Sequence, residues 1–342
     1  MGLLMVMGGM GCSKTEESPA QNSTTTASGA SQDGGSAQLS GSIAIDGSST
    51  VSPIMEAVAE EFGKTQPGVK PTVATSGTGG GFKKFVAGEI DIADASRPIE
   101  KDEMEKAKAA GIEFVEIPIA FDGLSVVVNP SNTFAATLTV AELKKIWEPN
   151  SKVQTWADVR AGFPAEKIKL YGAGTDSGTF DYFTKAIVGE EKASRADYQA
   201  SEDDNVLVQG VAGDKFSLGY FGYAYYDQNK DKLKLVGIDA GKGAIVPSPE
   251  TIADGTYKPL SRPLFVYVNK KALDRPEVVA LLKFLVMKGK DLITSTGYVP
   301  LPDEVYKLDI ERIDSKKTGT SFSGAEVGMS ISDVMKRETS GS

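Results

Sequence analysis

The sequence contains no histidine. That removes the usual general base for a serine or cysteine nucleophile, and it removes imidazole from any metal site. A single cysteine, Cys12, excludes an internal disulfide and a thiolate metal cluster. Basic residues are also in short supply: 37 Lys and Arg stand against 46 Asp and Glu, a net charge of −9. Phosphate backbones need a basic surface, so the charge argues against nucleic acid as the main partner. An enzyme built from this chain would have to work with carboxylates, lysines or tyrosines alone. What remains is enough for a folded protein. The 342 residues are 40% hydrophobic, which suits two domains better than one.

The first 42 residues read as an address and a tether. "MGLLMVMGGMGC" is apolar and too short to span a bilayer as a helix. Residues 13–42 are rich in Ser, Thr, Gly and Gln with little apolar surface, the composition of a disordered linker. An apolar run, small residues, a cysteine and a flexible linker are similar to a bacterial lipoprotein signal, although no Lys or Arg precedes the run. On that reading Cys12 carries the lipid and holds the protein at a membrane surface. One acyl chain anchors only marginally, so more than one is expected.

From Ile43 onward, strands alternate with helices. "SIAIDG" predicts a strand, and Val51, Ile54, Met55, Val58, Ala59 and Phe62 then fall on one helical face. "KPTVATSG", "IDIADASRPI" and "KIKLYGAG" predict further strands, each running into a helix. "FVEIPIAFDGLSVVVNP" reads as two strand runs broken at Asp122-Gly123, and "SLGYFGYAYY" and "KLKLVGI" as single strands. Thr139 and Glu142 form a capping box. "RPLFVYVNK" predicts a strand that returns the chain to its first domain. The fold class is therefore α/β, with helices on both faces of the sheets. The expected division is 1–12 signal, 13–42 tether, 43–122 plus 262–325 domain I, 123–261 domain II and 326–342 a polar tail.

Three turns share one construction: a strand, then glycines and hydroxyls, then a helix. They are Gly47-Ser48-Ser49-Thr50, Ser76-Gly77-Thr78-Gly79-Gly80-Gly81 and Gly174-Thr175-Asp176-Ser177-Gly178-Thr179. A helix N-terminus presents unpaired N–H groups and partial positive charge, glycines admit a ligand close to the backbone, and hydroxyls add donors. Any one of these turns, taken alone, reads first as an ordinary cap. Three of them, shared between the two halves, suit an anion cleft between two domains. Arg97, beside Ser96 in "ADASRPI", is the candidate charge, with a surface ion pair as the alternative. None of the turns is a Walker A loop, and no metal-ligating or cofactor pattern is present.

These segments resemble the phosphate-binding proteins of high-affinity phosphate ABC transporters. "IDGSSTVSPIMEAVAEEF", "TSGTGGGFKKFVAGEIDIADASRPI", "FDGLSVVVNP", "LTVAELKKIW" and "GTDSGTFDYF" carry the resemblance, which runs from about Ile43 to about Val305. It implies a two-domain, type II periplasmic-binding-protein fold that is not catalytic. It implies inorganic phosphate bound by Ser49, Thr50, Thr78, Gly79, Gly80, Ser177, Gly178 and Thr179. The best-studied members carry an arginine where this chain has Ala173, and an aspartate where it has Arg97. The resemblance thus implies that Arg97 replaces the missing charge, with Ser96 beside it. An acceptor for the phosphate proton is left open among Asp46, Asp176 and Asp122, the last of which also suits a hinge. The implied protein is a monomeric, lipid-anchored receptor in the periplasm or on the outer face of the cytoplasmic membrane, delivering phosphate to a permease. Sulfate or molybdate as the ligand, a phosphatase using Asp176 or Asp122, and an envelope sensor are the alternatives.

Overall fold

The structure, a computed structural model, describes residues 38–322 apart from Asp176. Cys12, the tether up to residue 37, Asp176 and the tail at 326–342 lie outside the described residues. The first strand begins at Ser40, inside the stretch read as tether.

The opening third is three strand–loop–helix units: β1 (Ser40–Gly47), α1 (Ser52–Thr65), β2 (Gly68–Thr75), α2 (Thr78–Val86), β3 (Ile92–Ala95) and α3 (Lys101–Ala109). The helical spacing read from the sequence is realised in α1, where Ile54, Met55, Val58 and Phe62 are buried. In α3, Glu103 reaches back to the Glu100 N–H in a capping box.

β4 (Phe114–Val128) follows, and it corrects the sequence reading. Asp122-Gly123 does not break it: the strand runs fifteen residues, all buried. The pairing changes at this point. Phe114–Gly123 pairs antiparallel with the late strand β12, and Leu124–Val128 with β8. Each half finds a full set of hydrogen-bond partners, so the backbone has no reason to turn.

The middle of the chain supplies β5 (Thr137–Thr139), α4 (Val140–Trp147), α5 (Trp156–Val159), β6 (Lys169–Ala173) and α6 (Gly178–Phe183), then β7 (Gln199–Ser201), α7 (Asp204–Ala212), β8 (Ser217–Gly222) and α8 (Tyr223–Asp227). The expected capping box of Thr139 and Glu142 opens α4. α6 runs directly into a π-helical turn, Thr184–Val188. There the Thr184 hydroxyl donates to the Phe180 and Asp181 carbonyls and loosens the ladder. The strand expected through "GYAYY" is a helix after Gly222, with Tyr223 bonded to Asp227 one turn on at 3.2 Å. Next come β9 (Lys234–Leu235), β10 (Gly237–Asp239), β11 (Ala244–Ile245) and α9 (Pro249–Ala253). β9 and β10 divide what reads as one strand, because β9 pairs with β4 and β10 with β5.

The chain returns through β12 (Ser261–Asn269) and ends with α10 (Pro276–Lys288), α11 (Lys290–Ser295), β13 (Val299–Pro300) and α12 (Asp303–Ser315). The large sheet has the order β2-β1-β3-β12-β4-β8-β6-β7. One face of its first half packs α1 against α10 through Ile54, Val58, Leu281 and Leu285. The other face buries Phe82, Phe85, Phe265 and Tyr267. No helix among the described residues is long and apolar enough to cross a membrane.

Candidate functional site

The carboxyl ends of β1, β2 and β3 point the same way because these strands are parallel, and each opens into a loop. The first two loops are packed backbone to backbone. A Cβ on Gly81 would lie 2.7 Å from the Gly47 Cα, so α2 sits directly against the end of β1. Asp46 fixes this arrangement from below. Its carboxylate accepts from the Ser76 hydroxyl at 2.8 Å and from Lys84. Burial alone would raise the Asp46 carboxyl, but these two bonds and the Lys84 charge hold it below the ordinary carboxylate value. Asp46 is thus bonded from two sides as a loop brace.

The third loop comes from the other half of the sheet, after β6, and meets the first. A Cβ on Gly178 would lie 2.1 Å from the Thr50 hydroxyl oxygen and 2.8 Å from that of Ser49. Only glycine permits this approach. Ser177 caps α6, its hydroxyl accepting from the Thr179 N–H at 3.1 Å.

Between the loops is a cavity of about 950 Å³. Ser49, Thr78, Gly79, Gly80, Ser96, Arg97 and Gly178 line it. Seven of the ten residues expected to bind the ligand therefore share one wall system. Thr50 is buried at its edge, and Ser177 and Thr179 are engaged in starting α6. Thr78 and Ser96 join the second loop to the segment after β3, their hydroxyls 3.2 Å apart.

Arg97 lines the cavity, but its guanidinium is bound in two-pronged fashion to Glu103 at 2.8 and 2.9 Å. It also lies over the Phe82 ring, 5.5 Å from the centroid. The arginine at the centre of the site is Arg262, which carries no local sequence signal. It lies on β12 and is 8% exposed. Its Nε and Nη2 donate to Asp122 at 3.1 Å. Nη2 also reaches the Thr50 hydroxyl at 3.1 Å and the Gly178 carbonyl at 3.3 Å. Its guanidinium stacks on Tyr182, 4.0 Å from the ring centroid. Tyr182 is fixed in turn by donating to the Pro259 carbonyl at 2.6 Å. One guanidinium thus touches the first loop, the third loop and the long strand. Its Nη1 makes no hydrogen bond to any described residue, and Arg262 lines the cavity.

Asp122 therefore holds Arg262. Burial pushes its carboxyl up and the Arg262 charge pulls it back, leaving it above its ordinary value. The cavity wall carries six basic and three acidic residues, so the site is locally positive in a chain of net charge −9. Among the described residues no group of three or more His, Cys, Asp or Glu side chains could hold a metal ion. The arrangement offers helix N-termini, hydroxyls and one desolvated guanidinium to a small tetrahedral anion.

A family model described as the PBP superfamily domain matches residues 22–288. The chain belongs to the PBP superfamily. It is 49% identical over 307 residues to Protein SphX of Synechocystis sp., covering 89% of this chain and 91% of that protein. It is 41% identical over 284 residues to the phosphate-binding protein PstS of Staphylococcus haemolyticus, covering 81% and 88%. The crystal structure of a "possible phosphate binding protein" from Planctomyces limnophilus is 54% identical with a TM-score of 0.76, covering 81% of this chain and 99% of that one. These relatives set the chain among the phosphate-binding proteins of the superfamily, the group that its three loops resemble.

Proposed function

We propose that this PBP-superfamily chain captures inorganic phosphate in the cavity between its loops and delivers it to the permease of an ABC transporter. The observation that carries the reading is Arg262, joined to Thr50 and Gly178 at the meeting point of two loops, in a chain similar to named phosphate-binding proteins. Residues 43–122 with 262–325, and residues 123–261, act as the two jaws. The jaws close when the anion brings the Ser49-Thr50 and Ser177-Gly178-Thr179 loops together. Neutral donors and Arg262 replace the water the anion loses, and no bond is made or broken. Arg97, neutralised by Glu103 in this structure, contributes from the rim with Ser96.

Discrimination from sulfate needs an acceptor for the phosphate proton, because an unpaired buried donor or a like-charge contact costs a few kcal/mol. Asp46, Asp122 and Asp176 are the candidates. Asp46 accepts from Ser76 and Lys84 and Asp122 accepts twice from Arg262, and of the two it is the Asp122 carboxyl that burial raises beside the anion's arginine. The protein works outside the cytoplasm, held to the membrane through Cys12, which an acyl mass on the Cys12 peptide would identify. Calorimetric titration with phosphate and with sulfate over a pH series tests the function. The expected result is saturable 1:1 binding of phosphate and much weaker binding of sulfate. Tighter binding of sulfate at every pH would contradict it.

A further inference from the structure

Behind the wall formed by residues 96–99 lies a polar chain that leads away from the cavity. The Ile99 N–H donates to the Tyr267 hydroxyl at 2.9 Å. That hydroxyl, having accepted from a backbone donor, uses its own proton toward Glu116 Oε2 at 2.8 Å. Glu116 is fully buried. It accepts two more bonds from the segment after α12: the Ser321 N–H at 2.8 Å and the Thr320 hydroxyl. Thr320 is itself oriented, since its oxygen accepts from the Phe322 N–H at 3.0 Å and its proton is left for Glu116. Every donor therefore points at one carboxylate. Arg312 tethers the same segment, donating to the Glu116 carbonyl at 2.7 Å and to the Ser321 hydroxyl.

Further contacts follow the same route. Gly319 is tied to the Phe114 carbonyl at 2.9 Å. Phe322 packs edge-on against Phe265 at 4.7 Å and reaches the cavity wall. Tyr267 carries Phe82 of α2 on its ring at 5.0 Å. The segment thus ends at the cavity and holds, through Glu116 and Tyr267, two pieces of the anion site: the 96–99 segment and α2.

We propose that residues 319–322 form a strap that sets the position of the 96–99 segment, and that Tyr267 and Glu116 are positioning residues for the anion. The effect on affinity rests on the phosphate reading above. The mechanical link does not, and the test separates them. In the full chain, Thr320→Val removes the hydroxyl's bond to Glu116 and its bond from the Phe322 N–H, and Tyr267→Phe removes the link itself.

The strap predicts that Thr320→Val speeds hydrogen exchange of the Ile99 amide, without ligand, by more than the global change in stability accounts for. It predicts a rise in the phosphate Kd of about tenfold in Tyr267→Phe and less in Thr320→Val, with the double variant no worse than Tyr267→Phe. By reciprocity, saturating phosphate slows exchange at residues 319–322 in the wild type but not in Tyr267→Phe. An unchanged Ile99 amide in folded Thr320→Val overturns the strap. An unchanged Kd in folded Tyr267→Phe overturns its role in positioning the anion. A wild type that does not bind phosphate overturns the function instead, and the Ile99 amide still decides the strap.

Discussion

Arg262→Ala is expected to lose phosphate binding by at least about a hundredfold, whereas Arg97→Ala loses far less. The difference follows from what each guanidinium does. Arg97 is already matched by Glu103 and is a third exposed. Arg262 is buried, stacked on Tyr182 and bonded to both Thr50 and Gly178. Hydrogen bonds from a charged group are worth about 1.5–3 kcal/mol each, and 1.4 kcal/mol is about tenfold in affinity.

Removing Arg262 also strands Asp122, and breaking a buried pair costs about 3–5 kcal/mol of stability. The pH dependence has a definite sign. A carboxyl whose folded pKa lies above its unfolded value weakens the fold as pH rises from the unfolded pKa through the folded one. Asp122 already leans that way, and Arg262 is what restrains it. Arg262→Ala should therefore lose stability with rising pH more steeply than the wild type. Adding Asp122→Asn should remove that pH dependence and recover part of the stability without recovering binding. Melting curves over a pH series, with titrations on the same samples, check both statements. Binding restored in the double variant would show that Arg262 acts through stability alone.

Gly178→Ala should separate binding from stability in the opposite way. Its Cβ would lie 2.1 Å from the Thr50 hydroxyl oxygen and 3.2 Å from the Thr50 nitrogen. Thr50 is β-branched and its hydroxyl is held by Arg262, so it cannot swing aside. Alanine is otherwise welcome at the first position of α6, where it is about 1 kcal/mol better than glycine. If the two jaws open without ligand as proposed, the clash is relieved there, and the melting temperature should hold or rise slightly. Closure around the anion then meets an overpacking cost of about 1–3 kcal/mol, a loss of about 5- to 150-fold in affinity. Unchanged phosphate affinity in Gly178→Ala would mean that the two loops do not approach in the bound state.

Much of the fold is legible in the sequence because local signals and tertiary structure agree. The glycine-hydroxyl turns do open α1, α2 and α6, and the Thr139 capping box starts α4. The failures lie where tertiary pairing overrides local pattern. Asp122-Gly123 looks like a turn, yet β12 and β8 between them keep the strand extended. "YFGYAYY" alternates like a strand, but its second half forms α8, and short apolar runs do not distinguish the two.

The site shows the same division. The loops are readable because backbone chemistry forces glycine and hydroxyls into them. Arg262 is not, because a single arginine in an apolar strand gives no local sign of which loops it will meet. One signal was present: Ser-Arg-Pro occurs twice, at 96–98 and at 261–263, and both arginines line the cavity. Asp122 changes meaning for the same reason. As a turn residue it suggests a hinge, and in the fold it is the counter-ion of Arg262.

The most direct measurement is a crystal structure of the protein grown with phosphate and without sulfate. One phosphate is expected in the cavity, with an oxygen bonded to Arg262 and others to donors of the Ser49, Thr78 and Gly178 loops. A phosphate bound elsewhere, or in the cavity with Arg262 turned away from it, would contradict the account.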